Sequence, residues 1–486
     1  MKKRLLVVSL ALGAGALLTP QLSGPFNDSL RGSCGAFFSL MARRHLELGL
    51  DRTGGIPVMN LAQASPDQLV YYRHHPPGAI LLVTLSFAIF GESEPAARLV
   101  PLLAFVSGLV ALGWLASRQC GFAPGLLAVA TATAVPMGAY YGVFVNFEIP
   151  TIAAWLVTLV TLARWREGGS SRALSISLGA WALGGFLDWP LYLGTPALVL
   201  IAWRTQARNR RTAALLFALL PILVYSSVAV WHYLQQSRWG RFPESYGLAS
   251  YLAEISPLAK GIHLGSWFTA ELATLWRLGG IAVPVALLGT VVAWTRRRPA
   301  APWLLVLLLV GSLTVFLGAG RSLDHDYWSL YFLPWLGLGC ADGVAWLDGW
   351  RGRWSRAAAV SVALLVLGSG LLHSTRIHRV RSHTTLAQRG RAIEGVLQPH
   401  EIGVTTPWDF QVPYYARAPV LASPVPPRTL EQLSGQLRIL GLHEAQIVLC
   451  ALPGEDPRRV AGALAARIDP TLPERRGAIL AFPLAP

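Results

Sequence analysis

The sequence is poor in charged residues, and poorest in acidic ones. Asp, Glu, Lys and Arg make up only 14% of its 486 residues, whereas soluble domains carry about 25%. So little charge cannot cover the surface of a water-soluble globule of this size, and 53% of the residues are hydrophobic. The composition therefore excludes a single soluble domain and predicts a polytopic α-helical membrane protein.

Cysteine is scarce as well. The four cysteines show no CxxC or other metal-binding spacing, and the sequence contains no HExxH motif. These absences argue against a disulfide framework and against a strict metal motif. A bridge between Cys34 and Cys450 would require both residues to face the outside, and nothing in the sequence demands it.

Basic residues are in excess but are not spread evenly. The chain has 41 Lys and Arg against 25 Asp and Glu, a net charge of +16. The basic residues come in short bursts between apolar runs, which is typical of cytoplasmic loops and not of a nucleic-acid surface. We therefore predict no nucleic-acid partner. The 18 Trp, 47 Gly and 33 Pro also fit a membrane protein.

Apolar stretches of membrane-spanning length predict about eleven spans. The first follows the basic Met1–Arg4 segment, and we interpret it as an uncleaved helix and not as a signal peptide. A shorter apolar stretch at 77–90 is predicted to be a re-entrant or interfacial helix. The other predicted spans lie roughly at 97–116, 123–145, 149–164, 173–188, 190–203, 212–231, 279–295, 301–319, 327–347 and 357–374.

Four arginine clusters fix the predicted orientation. By the positive-inside rule they are cytoplasmic, which puts the N-terminus inside and the C-terminal residues outside. We predict a membrane domain over 1–375, including an outer loop at 21–76, and a small α/β domain at 376–486 on the outer face. Its predicted strands are 402–406, 446–452 and 478–482, and its predicted helices are 430–442 and 458–468.

The few acids at the outer ends of predicted spans are candidates for a functional site. Asp28, Glu148 and Asp188 lie there, and an ionisable residue near the hydrocarbon is costly unless it has a task or a partner. Each also has a structural alternative. Asp28 could be a helix-end or turn residue, Glu148 a first-turn acid that offsets the helix dipole, and Asp188 a turn residue.

Two histidine sites fall on the same predicted face. His75 precedes two prolines, so it could serve only to fix an extended entry into a helix. His325 lies between two acids and could be a metal ligand, an acid/base group or an interfacial polar residue. The convergence of the acids and histidines predicts a polar, partly acidic cavity at the outer membrane surface.

Several motifs in order resemble those of one enzyme class. They are His75-Pro-Pro77, Phe90-Gly-Glu-Ser-Glu94, Ala97-Arg98-Leu-Val-Pro101, Glu148-Ile-Pro150, and the stretch from His325-Asp-Tyr327 to Pro334. Together with Asp28 and the surface helix predicted at 35–48, they resemble the GT-C class of membrane glycosyltransferases, in the branch of protein O-mannosyltransferases and lipid A aminoarabinose transferases.

The resemblance implies a donor sugar on a polyprenyl phosphate and a lipid, glycan or protein acceptor, at the outer face of a bacterial inner membrane. It implies that Asp28 is the general base of an inverting transfer and that Glu148 orients the acceptor, tunes Asp28 or holds a divalent ion. Asp188 and His325 would support them, and His325 is a second candidate metal ligand. The cationic residues for the donor phosphate would be Arg31, Arg73, His74, His75, Arg98 and Arg321.

The sequence departs from the class in three places. Ser29 follows Asp28 where many relatives have Glu, and Glu148 stands where Asp is usual; both leave metal dependence open. The loop at 232–278 carries no acceptor motif. Two other functions compete with the enzyme: a transporter or flippase of a lipid-linked sugar, for which mid-membrane polar residues are typical, and a non-catalytic membrane assembly protein.

Overall fold

The computed structural model describes most of the chain up to residue 394 and short segments beyond it. The described residues are 2–59, 69–72, 74–207, 209–241, 263–350, 352, 354–394, 401–405, 410–417, 420–422, 446–450 and 479–483.

The described part of the chain is mainly helical. The α-helices are α1 Lys2–Leu18, α2 Leu30–Leu48, α3 Leu50–Thr53, α4 Gly78–Phe90, α5 Glu94–Cys120, α6 Phe122–Ala134, α7 Pro136–Ala139, α8 Glu148–Gly168, α9 Ser171–Leu187, α10 Thr195–Trp203, α11 Arg210–Trp239, α12 Leu264–Gly279, α13 Ala282–Thr295, α14 Ala301–Leu317, α15 Ala319–Ser322, α16 Leu333–Asp348, α17 Ser355–Val380, α18 Thr385–Ile393 and α19 Gln411–Ala416. The strands are β1 Leu69–Val70, β2 Gly240–Arg241, β3 Glu401–Thr405, β4 Val420–Ala422, β5 Gln446–Cys450 and β6 Ile479–Pro483.

The chain is a multi-pass membrane protein. Among the described residues, five helical segments are long and apolar enough to cross a bilayer, and a sixth arises if α12 and α13, bent by 102° at their junction, count as one span. Shorter apolar helices include α4, α6 and α14. The helical membrane class is thus confirmed, whereas the count of eleven spans is not.

Three of the predicted spans are interrupted at one end. Val135 has an extended backbone (φ −66°, ψ 149°), so α6 stops before Pro136, because a residue that precedes proline avoids the α region. Segments Trp189–Gly194 and Asp326–Phe332 are 3-10 helices. The predictions of continuous helices at 123–145, 190–203 and 327–347 are therefore wrong. The interruptions place non-α backbone beside the candidate active site.

The membrane core is built on closely packed helices. Helix α8 packs along α5 and α9, and α13 packs along α16. A Cβ on Gly289 would lie 2.1 Å from the carbonyl oxygen of Gly339, so this crossing requires glycine, as membrane helix contacts often do. Fully buried tryptophans such as Trp155 and Trp181 fill the interior. This rigid packing fixes the start of α8, where Glu148 lies.

The chain after α17 returns to the loop that precedes α2. The hydroxyl of Tyr415 on α19 accepts from the N–H of Phe26 (2.7 Å), and Nε2 of Gln411 donates to the carbonyl of Asn27 (2.6 Å). The sequence at 409–415 predicts a structural or acceptor-contacting strand and turn, and α19 shows that the strand is wrong for 411–415. The segment instead docks as a buried helix against α2.

The described strands after residue 400 form one sheet in the order β4-β3-β5-β6. β3 pairs in parallel with β4 and β5, and β6 is antiparallel to β5. The three predicted strands therefore exist, within two residues of their predicted ends. The predicted helices at 430–442 and 458–468 lie outside the described residues, so the α/β domain stays a prediction. Helix α17 continues through the predicted boundary at 375.

Candidate active site

Glu148 begins α8 and is almost completely buried, with 3% of its surface exposed. Its position in the first turn agrees with the helix-dipole alternative. However, its Oε2 atom is buried and has no hydrogen-bond partner among the described residues. A buried carboxylate oxygen without a partner is costly and calls for an explanation such as a substrate or a bound water.

Asp188 lies beside Glu148 and is 1% exposed. Its Oδ1 is 2.8 Å from Nδ1 of His75, and its Oδ2 accepts from the hydroxyl of Tyr331 at 3.0 Å. The Trp189 N–H also donates to Oδ1, as the turn-residue alternative requires. Glu148, Asp188, His75 and Tyr331 are called the acid–histidine cluster below. It joins α8, the ends of α9 and α4, and the 3-10 turn before α16.

Aromatic rings hold His75 in place. Its ring stacks on Phe147 with centroids 4.3 Å apart, and the Tyr72 ring stacks near it at 6.0 Å. The proline pair brings the chain directly into α4 at Gly78, so the geometric role of the motif also holds. The imidazole is thus fixed between a carboxylate and an aromatic wall, and 19% of its side chain remains exposed.

Tyr327 links the cluster to α2. Its hydroxyl lies 4.0 Å from Sγ of Cys34 and interacts electrostatically with Glu148. The sequence prediction names neither Tyr327 nor Tyr331 as a site residue, since aromatic residues in an apolar stretch look like core or interface residues. Both lie within the His325–Pro334 stretch, and Tyr327 is part of its His325-Asp-Tyr327 motif. His325 itself contacts the rings of Tyr327 and Trp328.

Asp28 has a different environment. Its two carboxylate oxygens accept the backbone N–H groups of Thr385 and Leu386, each at 2.9 Å, and its own N–H donates to the carbonyl of His383. The carboxylate therefore caps the start of α18. Among the described residues, no hydrogen bond or ion pair joins Asp28 to Glu148. These contacts match the helix-end alternative, whereas the role of Asp28 as base is what the family resemblance implies.

The predicted phosphate-binding residues fall in different places. Arg31 and Arg98 line a cavity of about 320 Å³ with Arg381 and His378; this is called the arginine cavity below. His74 and His75 lie beside Tyr72 at the acid–histidine cluster. Arg73 lies outside the described residues, and the side chain of Arg321 is not described.

Arg381 and His378 are absent from the sequence prediction. One feature of the sequence pointed to them. Helix α17 ends with several basic residues on the predicted outer side, where the positive-inside rule does not expect them. Arg381 donates to Oδ2 of Asp326 at 2.8 Å and to the Tyr141 hydroxyl at 3.0 Å. Arg277 binds the same Asp326 oxygen at 3.1 Å. One buried carboxylate thus ties α12 and α17 to the turn before α16.

Among the described residues, the candidate metal ligands do not form a cluster. Within the described segments, no three side chains of His, Cys, Asp or Glu lie close enough together to hold an ion. Glu148 and His325, the two ligand candidates from the sequence, belong to no such group there.

Comparison with known proteins identifies the fold. Residues 74–231 match the family described as dolichyl-phosphate-mannose-protein mannosyltransferase. That segment contains His75, Glu148 and Asp188. No curated protein matches the chain. Solved structures match over nearly its whole length.

Two crystal structures of ArnT from Cupriavidus metallidurans are similar to the chain. The structure bound to undecaprenyl phosphate has a TM-score of 0.62 at 15% identity, and the apo structure has 0.61 at 16%; both matches cover 98% of this chain and 97% of ArnT. The chain has the GT-C membrane glycosyltransferase fold. The resemblance predicted from the sequence is therefore confirmed.

The GT-C fold is shared with a more distant enzyme. The Archaeoglobus fulgidus oligosaccharyltransferase, in complex with Zn and sulfate, matches with a TM-score of 0.56 at 13% identity, over 91% of this chain and 67% of that one. At such identities the likeness establishes the GT-C architecture and leaves the reaction, the donor and the acceptor to be argued from the residues.

Proposed function

We propose that the chain is an integral-membrane glycosyltransferase that moves a sugar from a polyprenyl-phosphate donor to an acceptor on the extracytoplasmic face of a bacterial inner membrane. The observation that carries the proposal is the buried Glu148 carboxylate, whose Oε2 has no hydrogen-bond partner among the described residues, beside Asp188 and His75. All three residues fall in the segment that matches the mannosyltransferase family. ArnT from Cupriavidus metallidurans, whose structure is similar to this chain, was crystallised with bound undecaprenyl phosphate.

Glu148 is the proposed general base. Its open oxygen would take the proton of an acceptor O–H or N–H group as that atom attacks the anomeric carbon. The bond from this carbon to the donor phosphate oxygen breaks at the same time, and the electron pair leaves with the polyprenyl phosphate. Attack from the face opposite the leaving group inverts the anomeric configuration. The products are the glycosylated acceptor and the lipid phosphate.

Asp188 positions the other polar groups of the cluster. It binds the His75 imidazole and the Tyr331 hydroxyl through separate oxygens, so both side chains are fixed before substrate arrives. The His75 imidazole, held by Asp188, would face the donor phosphate together with His74. An Asp–His pair of this kind stabilises negative charge that develops on a leaving group.

Asp28 provides the first prediction. Asp28→Asn should leave transfer within about threefold of the parent, because an Asn side chain also caps a helix and the base is elsewhere. The measurement is turnover of a lipid-linked sugar by the purified variant, with expression and unfolding followed in parallel. A fall of about 10²–10⁴-fold in a folded Asp28→Asn protein would instead make Asp28 the base, as the family resemblance implies.

The donor can be tested in cells. Deletion of the gene should cause one lipid-linked sugar to accumulate, since its consumer is missing, and the chemical identity of that lipid would give the sugar. The parent gene and Asp28→Asn should restore its level, and Glu148→Gln should not. If the pool of every polyprenyl-linked sugar stays unchanged after deletion, the proposed donor class is wrong.

A further inference from the structure

A row of aromatic rings connects the C-terminal part of the chain to the acid–histidine cluster. Phe410, the N-cap residue of α19, packs on Phe37 of α2 with ring centroids 4.2 Å apart. The Phe37 ring meets the edge of Tyr72 at 5.7 Å, and Tyr72 stacks on the His75 imidazole at 6.0 Å. Rings in favourable aromatic pairs have centroids about 4.5–7 Å apart, so each contact lies in or close to that range. These four rings are called the aromatic row below.

The aromatic row belongs to a larger hydrophobic cluster behind the site. Phe147 and Leu187, which directly precede Glu148 and Asp188 in the sequence, are buried in this cluster. The members from the C-terminal part of the chain are Ala387, Tyr414 and Tyr415, with Phe410 packed against the cluster. Residues of α18 and α19 therefore help to form the hydrophobic wall that supports the acid–histidine cluster.

Helix α19 is held in a way that fixes the position of Phe410. The next residue, Gln411, is fully buried and is bonded to the loop before α2. Nη2 of Arg43 donates to the backbone carbonyl of Tyr414 at 2.9 Å. Because Arg43 and Phe37 both belong to α2, this helix contacts α19 near both of its ends. The Phe410 ring is thus anchored against α2 by contacts on either side of it.

At the other end of the row, packing sets the tilt of the His75 ring. The bond from Nδ1 to Asp188 fixes one point of the imidazole. The imidazole plane lies within 12° of Phe147 and 17° of Tyr72, so these two rings fix the plane. Tyr72 is in turn supported by edge contacts with Phe37 and Phe38. A loss of support behind Tyr72 would give the imidazole room to turn.

We propose that Phe410 is a positioning residue of the active site, which acts on His75 through Phe37 and Tyr72. The C-terminal part of the chain would then complete the site from the outside. This inference rests on the proposed function only for the task of His75 at the donor phosphate, and the position of the imidazole is measured without transfer. The alternative is that Phe410 only fastens α19 to α2, which would leave His75 unaffected by its removal.

The first test measures how fast diethyl pyrocarbonate modifies His75 in the purified full-length chain, with the modified peptides quantified by mass spectrometry. In the parent, 19% of the His75 side chain is exposed, so the reaction should be slow. Phe410→Ala should raise the rate by about two- to tenfold, which is the range that one aromatic pair is worth. The exposed His263 before α12 should react equally in every variant and serves as the internal reference.

Two further variants follow the aromatic row itself. Phe410→Leu keeps an apolar side chain of similar bulk, so it should bring the reactivity of His75 back towards that of the parent. Phe37→Ala interrupts the row from α2 and should raise the reactivity of His75 as Phe410→Ala does. It also covers the case in which Phe410→Ala fails to fold.

Tyr415→Phe is the control for docking of α19 outside the aromatic row. It keeps the ring and removes the hydrogen bonds of the hydroxyl with the Phe26 N–H and with Oε1 of Glu94, each 2.7 Å long. This variant should loosen α19 without touching the four rings of the row. His75 should therefore react in Tyr415→Phe as it does in the parent.

A double-mutant cycle on the proposed reaction asks whether Phe410 acts through His75. Phe410→Ala should lower the single-turnover rate at saturating donor by about two- to tenfold, with a smaller change in donor affinity. In a His75→Asn background, the same substitution should change the rate by less than about twofold, because residues coupled through contacts are not additive. Losses that multiply in the double variant would show that Phe410 acts independently of His75.

The outcomes separate the proposal from its alternatives. Faster modification of His75 in Phe410→Ala and Phe37→Ala, with Tyr415→Phe unchanged, supports the positioning role. Unchanged reactivity of His75 in both alanine variants overturns it, and so does an equal increase in Tyr415→Phe. A parent chain that shows the effect on His75 but transfers no sugar would refute the proposed function and leave the action of Phe410 on His75 intact.

Discussion

Glu148→Gln should reduce sugar transfer by about 10²–10⁴-fold, the usual contribution of a general base. The substitution keeps the size of the side chain and most of its hydrogen bonds but removes the ability to accept a proton. Because Glu148 Oε2 has no hydrogen-bond partner to lose in the part of the chain that the structure describes, the folded protein should be little affected. The measurement is the single-turnover rate with saturating donor, together with donor affinity, which should change far less than the rate.

The same helix offers the control. Glu167 lies near the other end of α8, is half-exposed, and pairs with Arg118 at the surface. Glu167→Gln makes the same chemical change and should leave the rate within about threefold of the parent. Equal rates for Glu148→Gln and the parent would remove Glu148 as the base. Equal losses in both variants would show that the effect is not specific to the site.

Asp326→Asn should lower the free energy of unfolding by about 3 kcal/mol, the lower end of the cost of breaking a buried ion pair. Asp326 is 8% exposed and accepts from Arg277, Arg381 and the Tyr141 hydroxyl. Neutralising it leaves Arg381 without its carboxylate. The lower end applies because half of the Arg277 side chain is in contact with solvent. Unfolding by SDS titration in mixed micelles measures the difference.

Asp348 is the matched control for this prediction. It pairs with Arg356 at 3.7 Å, and both side chains are largely exposed. Asp348→Asn should therefore cost about 0–1 kcal/mol, the usual range for a surface pair. A loss at Asp326 as small as that at Asp348 would mean that the Asp326 network does not tie α12 and α17 to the membrane core.

The sequence was informative about which residues share a face. Charge patterning assigns Glu148, Asp188 and His75 to the outer ends of their helices, and the structure brings these three together. Charge patterning does not show which residues on that face are neighbours. Asp28 is on the predicted face too, yet its partners are N–H groups of Thr385 and Leu386, more than 350 residues later. No periodicity or spacing connects positions so far apart.

The interruptions of the spans were harder to predict. Apolar composition continues through Val135 and Pro136, so hydropathy predicts one span where the backbone leaves the helix. The loop that follows holds Tyr140 and Tyr141, which contact the arginines of the cavity. The sequence does not predict the contact of Tyr331 with Asp188 for the same reason. Its hydrophobicity dominates the pattern, whereas the contact is made by its hydroxyl. Hydropathy finds membrane segments, and it does not find polar contacts made by tyrosines.

The most direct test of the account uses the purified chain in sealed vesicles with a radiolabelled sugar on a polyprenyl phosphate and an extract of envelope acceptors. If the chain is a transferase, label leaves the lipid, one polyprenyl phosphate forms for each sugar transferred, and Glu148→Gln abolishes both while Glu167→Gln does not. Movement of the intact lipid-linked sugar from one leaflet to the other, with no release of polyprenyl phosphate, would contradict the account and identify a transporter.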